Sequence, residues 1–155
     1  MIYALAVQGA TIQINDKTWT VEVMVTPAEL NLGLSYRDTL APDNGMLFDL
    51  GQMRPVLVNA YNMLFPISIV FIDENFVVTD VVQLLSPGED AATTVPCRYF
   101  LEVNEQEAVD VEVGDSVTVT GYTSTGNVSL MIGLLVSAMI FAMMTIVMTR
   151  IIAKQ

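Results

Sequence analysis

From Thr18 to Thr26 apolar and polar side chains alternate, with Trp19, Val21, Val23 and Val25 on one side and Thr20, Glu22 and Met24 on the other. That period of two predicts a half-buried β-strand. Asn15-Asp16 supplies a turn ahead of it and Val7 to Ile14 forms the expected partner strand, so the pair is read as a hairpin. The period then changes. Thr26-Pro27-Ala28-Glu29 offers an N-cap hydroxyl, a proline at the first helical position and a glutamate three residues after the cap, which predicts a short helix from about Pro27 to Leu34. Strand-like runs follow at Gly45 to Leu50, Pro55 to Tyr61, Ile67 to Ile72, Phe76 to Leu85, Arg98 to Val103 and Ser116 to Tyr122. Asp73-Glu74-Asn75, Ser86 to Asp90 and Gly114-Asp115 read as the turns between them. The expected fold is mainly β (α+β): a compact β-sandwich or barrel-like domain with one short helix.

The pattern ends abruptly near the C-terminus. Val128 to Thr149 is a run of 22 residues with no charge and no proline. At about 1.5 Å per residue it reaches roughly 33 Å as a helix, enough for a hydrocarbon core of about 30 Å. A single C-terminal transmembrane helix is therefore expected, dividing the chain into a β domain over 1–124 and a membrane segment over 125–155. Ser129, Gly133 and Ser137 recur every four residues, and Ala138 with Ala142 adds a second small pair. Small residues at that spacing let another helix's backbone approach closely, so they form the expected packing face. Arg150 and Lys154 sit just past the span and favour a cytoplasmic C-terminus, which places the β domain outside. The opening MIYALAV lacks the basic start of a signal peptide, so the sequence shows no route for that export.

Charge narrows the chemistry. The chain has 155 residues, 17 of them acidic and 6 basic, for a net charge of -11. All the acidic residues lie at or before Asp115 with only four basic ones, so that part carries -13. Phosphate backbones are held by clustered Lys and Arg, and nucleic acid is not an expected partner. There is no histidine, which removes the usual general base and the commonest metal ligand. The single Cys97 excludes an internal disulfide and a thiolate zinc cage, and no base stands ready to activate it, Ser35 or Ser68.

Several motifs stand in a recognisable order. Val25-Thr26-Pro27-Ala28-Glu29, Gly33-Leu34-Ser35-Tyr36-Arg37 and Leu40-Ala41-Pro42-Asp43-Asn44-Gly45-Met46-Leu47-Phe48 are followed by Pro66 to Asp73, Arg98-Tyr99-Phe100-Leu101-Glu102-Val103-Asn104 and Val113-Gly114-Asp115. Together they resemble the domain-of-unknown-function family 192, over roughly Val23 to Val119. The resemblance implies a compact, mostly β domain, often exported or membrane-attached, with no established activity. The family's polar stretch "FWMKNTxxPLD" aligns with Val58 to Ser68, where only Asn62 and Pro66 match and Ser68 replaces the aspartate. A repurposed scaffold is the expectation.

Arg37 offers a planar fork for a carboxylate or anion, against a structural pairing with Asp38, Asp43 or Asp49. Asp43, Asp49, Asp73 and Glu74 are oxygen donors without calcium-loop spacing, and turn aspartates ordinarily serve the backbone. No catalytic residue, metal site or cofactor is expected. Arg37, Tyr61, Asn62 and Asp73 are the candidate ligand or interface residues, and Val56, Leu57 and Val58 a candidate apolar interface. The expected role is a non-catalytic, single-pass membrane subunit that docks an extracytoplasmic β domain onto other integral membrane protein subunits in the lipid bilayer. The alternative is a membrane-tethered binding module for a small ligand or ion, with a residual enzyme third.

Overall fold

A computed structural model describes residues 9–122 and Ser124. The expected membrane span, its packing face and the basic tail lie outside the described residues; among those described, no helix is long and apolar enough to cross a membrane.

The alternation in the first strands is realised directly. β1 (Gly9–Ile14) and β2 (Lys17–Met24) form an antiparallel hairpin with Ile12 opposite Trp19. Its turn is closed by Asn15 at φ +52, a left-handed conformation that asparagine tolerates. Thr26 then caps α1 (Pro27–Leu32), accepting from the Glu29 N–H while the Glu29 carboxylate accepts from the N–H groups of Thr26 and Val25. The helix is two residues shorter than its pattern suggests. Gly33 adopts φ +48 and donates its N–H to the Glu29 carbonyl, ending the helix before Leu34.

α1 carries the chain to β3 (Asn44–Asn59), which lies parallel to β2. β4 (Ile67–Ile72), β5 (Val78–Leu85), β6 (Asp90–Asn104) and β7 (Val117–Thr120) complete one seven-stranded sheet in the order β5-β4-β6-β3-β2-β1-β7. The sheet curls until its two edges meet at one end. Val77 bridges Ser116, and Val117 donates its N–H to the Phe76 carbonyl at 2.8 Å. The architecture is a mainly β half-barrel with one short helix, and the sandwich alternative is set aside because all seven strands belong to a single sheet.

Several strands differ in extent from their patterns, β7 among them, at Val117–Thr120 within the expected Ser116 to Tyr122. Gly45–Leu50 and Pro55–Tyr61 belong to one continuous β3, which pairs with β6 through register shifts around Arg54. β6 accordingly starts at Asp90, well before Arg98. β5 starts later than Phe76, because the Asp73 carboxylate accepts from the N–H groups of Asn75 and Val77 and holds the turn through Phe76 at φ +59.

Apolar side chains fill both faces of the central strands. Inside the curl, Ile12, Trp19, Val21, Leu47, Val70, Tyr99, Leu101 and Val103 form one core. On the outer face, Met46, Phe48, Ile69, Phe71 and Phe100 form a second, covered by Leu34 and Met63 from the connecting segments. β3, β4 and β6 are thus buried twice, which is why Ile69–Ile72 reads as an unbroken apolar run.

Candidate functional site

The outer face is where the fold leaves a hollow. Past Gly33 the chain tucks Leu34 into the second core, and the Tyr36 N–H bonds the Asn62 carbonyl at 2.9 Å. That bond ties the segment after α1 to the turn at Ala60–Met63, itself closed by the Met63 N–H on the Ala60 carbonyl. The far wall is the β3 ribbon from Arg54 to Asn59. Between them lies a cavity of about 200 Å³, lined by Leu32, Gly33, Arg54, Leu57, Asn59, Asn62, Met63 and Glu102 among others. Phe48 and Phe100 stack in it with centroids 4.2 Å apart and planes 7° from parallel.

Glu102 is the residue this geometry singles out. Alternation along β6 sends Tyr99, Leu101 and Val103 into the half-barrel and Phe100 and Glu102 to the outer face. Its cross-strand neighbours are Met46 and Ile69, both fully buried. The glutamate itself is only 5% exposed, and among the described residues no donor lies within hydrogen-bond range of its carboxyl group. Burial alone pushes its pKa up to about 8, which favours the protonated carboxyl group at neutral pH. Gly33 keeps the approach open. A Cβ there would lie 4.0 Å from Glu102 Oε2 and 3.2 Å from the Phe48 ring.

The sequence profile of DUF192, described as an uncharacterized ACR, matches residues 10–119. The chain belongs to the DUF192 family. No curated protein sequence matches it. A crystal structure of a candidate transcription regulator from Sinorhizobium meliloti 1021 superposes with a TM-score of 0.67 at 29% identity, covering 74% of this chain and 94% of that one. A protein of unknown function from Novosphingobium aromaticivorans DSM 12444 gives 0.65 at 22% identity, covering 71% and 83%. The half-barrel is therefore a DUF192 fold.

Within this DUF192 domain the sequence candidates are dispersed. Asn62 lines the cavity, with Val56, Leu57 and Val58 on the opposite wall. Arg37 instead forms a two-pronged ion pair with Glu22, at 2.5 and 2.8 Å, and not with Asp38, Asp43 or Asp49. Asp73 serves its own turn, and the exposed Tyr61 hydroxyl donates to Asp90 at 2.8 Å. Asp43 is taken by Lys17, and Asp49 holds Arg98, the Gly51 N–H and the Tyr122 hydroxyl in a buried network. Among the described residues no three acidic or sulfur side chains converge to hold a metal ion. Cys97 is fully buried, and burial raises its thiol to about 11 despite the opposing charge of Arg54, so it stays protonated and unreactive.

Sequence patterning missed Glu102. The signal was present, since one acidic residue interrupts the apolar run Tyr99-Phe100-Leu101-Glu102-Val103, and a strand buried on both faces has no solvent side on which to place it. Chemically, the site presents a buried carboxyl group beside the Phe48–Phe100 stack, with the exposed Asn59 and Asn62 also in its lining. It can accept N–H groups.

Proposed function

We propose that this chain is a non-catalytic, single-pass membrane subunit whose extracytoplasmic DUF192 domain docks a partner protein of a larger membrane complex through the outer-face cavity. One observation carries the docking surface. Leu32 and Leu57, at 56% and 65% exposed, stand in the cavity wall, and the exposed Tyr36, Tyr61 and Leu64 flank residues that line it or tie to it. Exposed apolar side chains around a concavity fit a protein anchor better than a hydrophilic metabolite. The cavity is also smaller than the roughly 300–1,000 Å³ usual for small-molecule sites. The uncharged run at 128–149 supports the tether, and its small-residue face supports a neighbouring helix. Nucleic acid has no part in the proposal, because the segment up to Asp115 carries -13 and repels phosphate.

The test is mild solubilisation from native membrane followed by sizing. Wild-type chain elutes in an assembly with an integral membrane protein, and Leu57→Asp elutes alone with the emission of Trp19 unchanged. A wild-type chain that elutes as a free monomer removes the proposal.

A further inference from the structure

Resting on that docking surface, we propose that the cavity seats one arginine side chain of the partner, its guanidinium on the Glu102 carboxylate and its alkyl stem against Leu34, Met63 and the Phe48–Phe100 stack. Size comes first. About 200 Å³ is room for a single side chain and excludes a nucleotide or a folded loop. Polarity comes next. Glu102 is more than nine-tenths buried, has no hydrogen-bond donor among the described residues, and lines the space with Oε2 4.0 Å from where a Gly33 Cβ would stand. Its oxygens open onto the cavity, where a donor entering can reach them.

The number of acceptors selects the donor. Glu102 supplies two oxygens, and the exposed Asn59 and Asn62, whose side chains bond to no other described residue, line the same space. A guanidinium brings five N–H groups in a planar fork, against three on an ammonium, and carries its charge with less hydration. The surrounding charge agrees, since the segment up to Asp115 carries -13 and draws in a cationic partner. Arg54 is the other titratable side chain lining the cavity. It is exposed at the mouth, makes no ion pair with any described residue, and is a mild repulsive charge for a cation entering.

Seating the guanidinium removes the Glu102 proton to bulk water, so binding is linked to pH. Below a carboxyl pKa of about 8, the apparent affinity for a cation rises about tenfold per pH unit, and above it the affinity is constant.

The probe is Nα-acetyl-arginine amide, titrated into full-length chain in detergent micelles carrying [13C-methyl]methionine, with Met63 as the reporter in the cavity wall. The Met63 signal is expected to move and saturate, with affinity rising about tenfold per pH unit between pH 5.5 and 7.5. The uncharged citrulline analogue leaves it in place. Glu102→Gln weakens the arginine probe at least tenfold and flattens the pH profile, and Arg54→Ala binds it equally or more tightly. A still Met63 signal, equal binding of citrulline, an unchanged Glu102→Gln, or weaker binding by Arg54→Ala each overturns the inference, the last by showing that the site takes an anion. The wild-type pH profile decides the matter even if Glu102→Gln does not fold. If the probe fails while Leu57→Asp still releases the chain from its membrane assembly, the arginine falls and the docking surface stands; if Leu57→Asp releases nothing, both fall.

Discussion

Replacing Glu102 with Gln should make the domain more stable at neutral pH and erase a pH dependence. In the folded chain the carboxyl group titrates at about 8, against an ordinary value of 4.5. Between those two values the unfolded chain has released the proton and the folded chain keeps it. Folding then requires proton uptake, so stability falls as pH rises, at about 1.4 kcal/mol per pH unit for a single site. From pH 5 to pH 7 the wild-type chain loses about 3 kcal/mol that Glu102→Gln retains, and above about pH 8 the loss levels off. Other groups do not confuse this window. The carboxyl groups of Glu22 and Glu29 are lowered by the Arg37 hydrogen bond and by the Thr26 N–H respectively, so the stability they contribute is lost only below pH 4.5. The assay is urea unfolding of the full-length chain in detergent at pH 5, 6, 7, 8 and 9. Trp19 is the readout, being the one tryptophan of the sequence and fully buried in the first core. A buried Gln amide adds a constant offset, so the quantity to compare is the slope. Parallel pH profiles for wild type and Glu102→Gln would refute the reasoning, by showing that Glu102 meets water or a cation in the folded chain.

Three further outcomes follow from the packing. Asp49→Ala strips the buried Arg98 of its carboxylate, whose pairing distance is 2.8 Å, and should cost about 3–5 kcal/mol in a urea midpoint series. Gly45→Ala places a Cβ 2.9 Å from the Glu102 carbonyl oxygen and 3.0 Å from Val103, a clash in the middle of the β3–β6 pairing. It should cost about 1–3 kcal/mol by the same measurement. Cys97 should resist a thiol-directed disulfide reagent at pH 8 in the folded chain and react within minutes in urea, because its reactivity is blocked by burial.

Local chemistry was legible where it is self-contained. The β1–β2 hairpin follows from alternation and Asn15, and the α1 start from Thr26-Pro27-Ala28-Glu29, because each signal is satisfied within a few residues. What required the third dimension was not. β3 runs through Gly51-Gln52-Met53-Arg54-Pro55, all exposed, so no apolar period marks its continuation; its pairing with β6 alone holds it in the sheet. Arg37 finds Glu22 because both sit on the outer side near the parallel β2–β3 pairing, a neighbour relation invisible along the chain. A sandwich and a half-barrel share the same alternation, and the pairing of all seven strands in a single sheet, with Val77 bridging Ser116 between its edges, separates them. The site shows the same division. Asn62 and Val56–Val58 were picked out by motif and patch, whereas Glu102 became visible once both faces of β6 were known to be covered.

The most direct measurement places a photo-crosslinking amino acid at Leu57, on the cavity wall, and separately at Val113, an exposed apolar residue that does not line it. After illumination in native membranes, position 57 is expected to give one dominant adduct with an integral membrane protein, the crosslinked peptide of that protein containing an arginine, and position 113 none. Equal labelling from the two positions, or no adduct from position 57, would contradict a partner seated at the outer-face cavity.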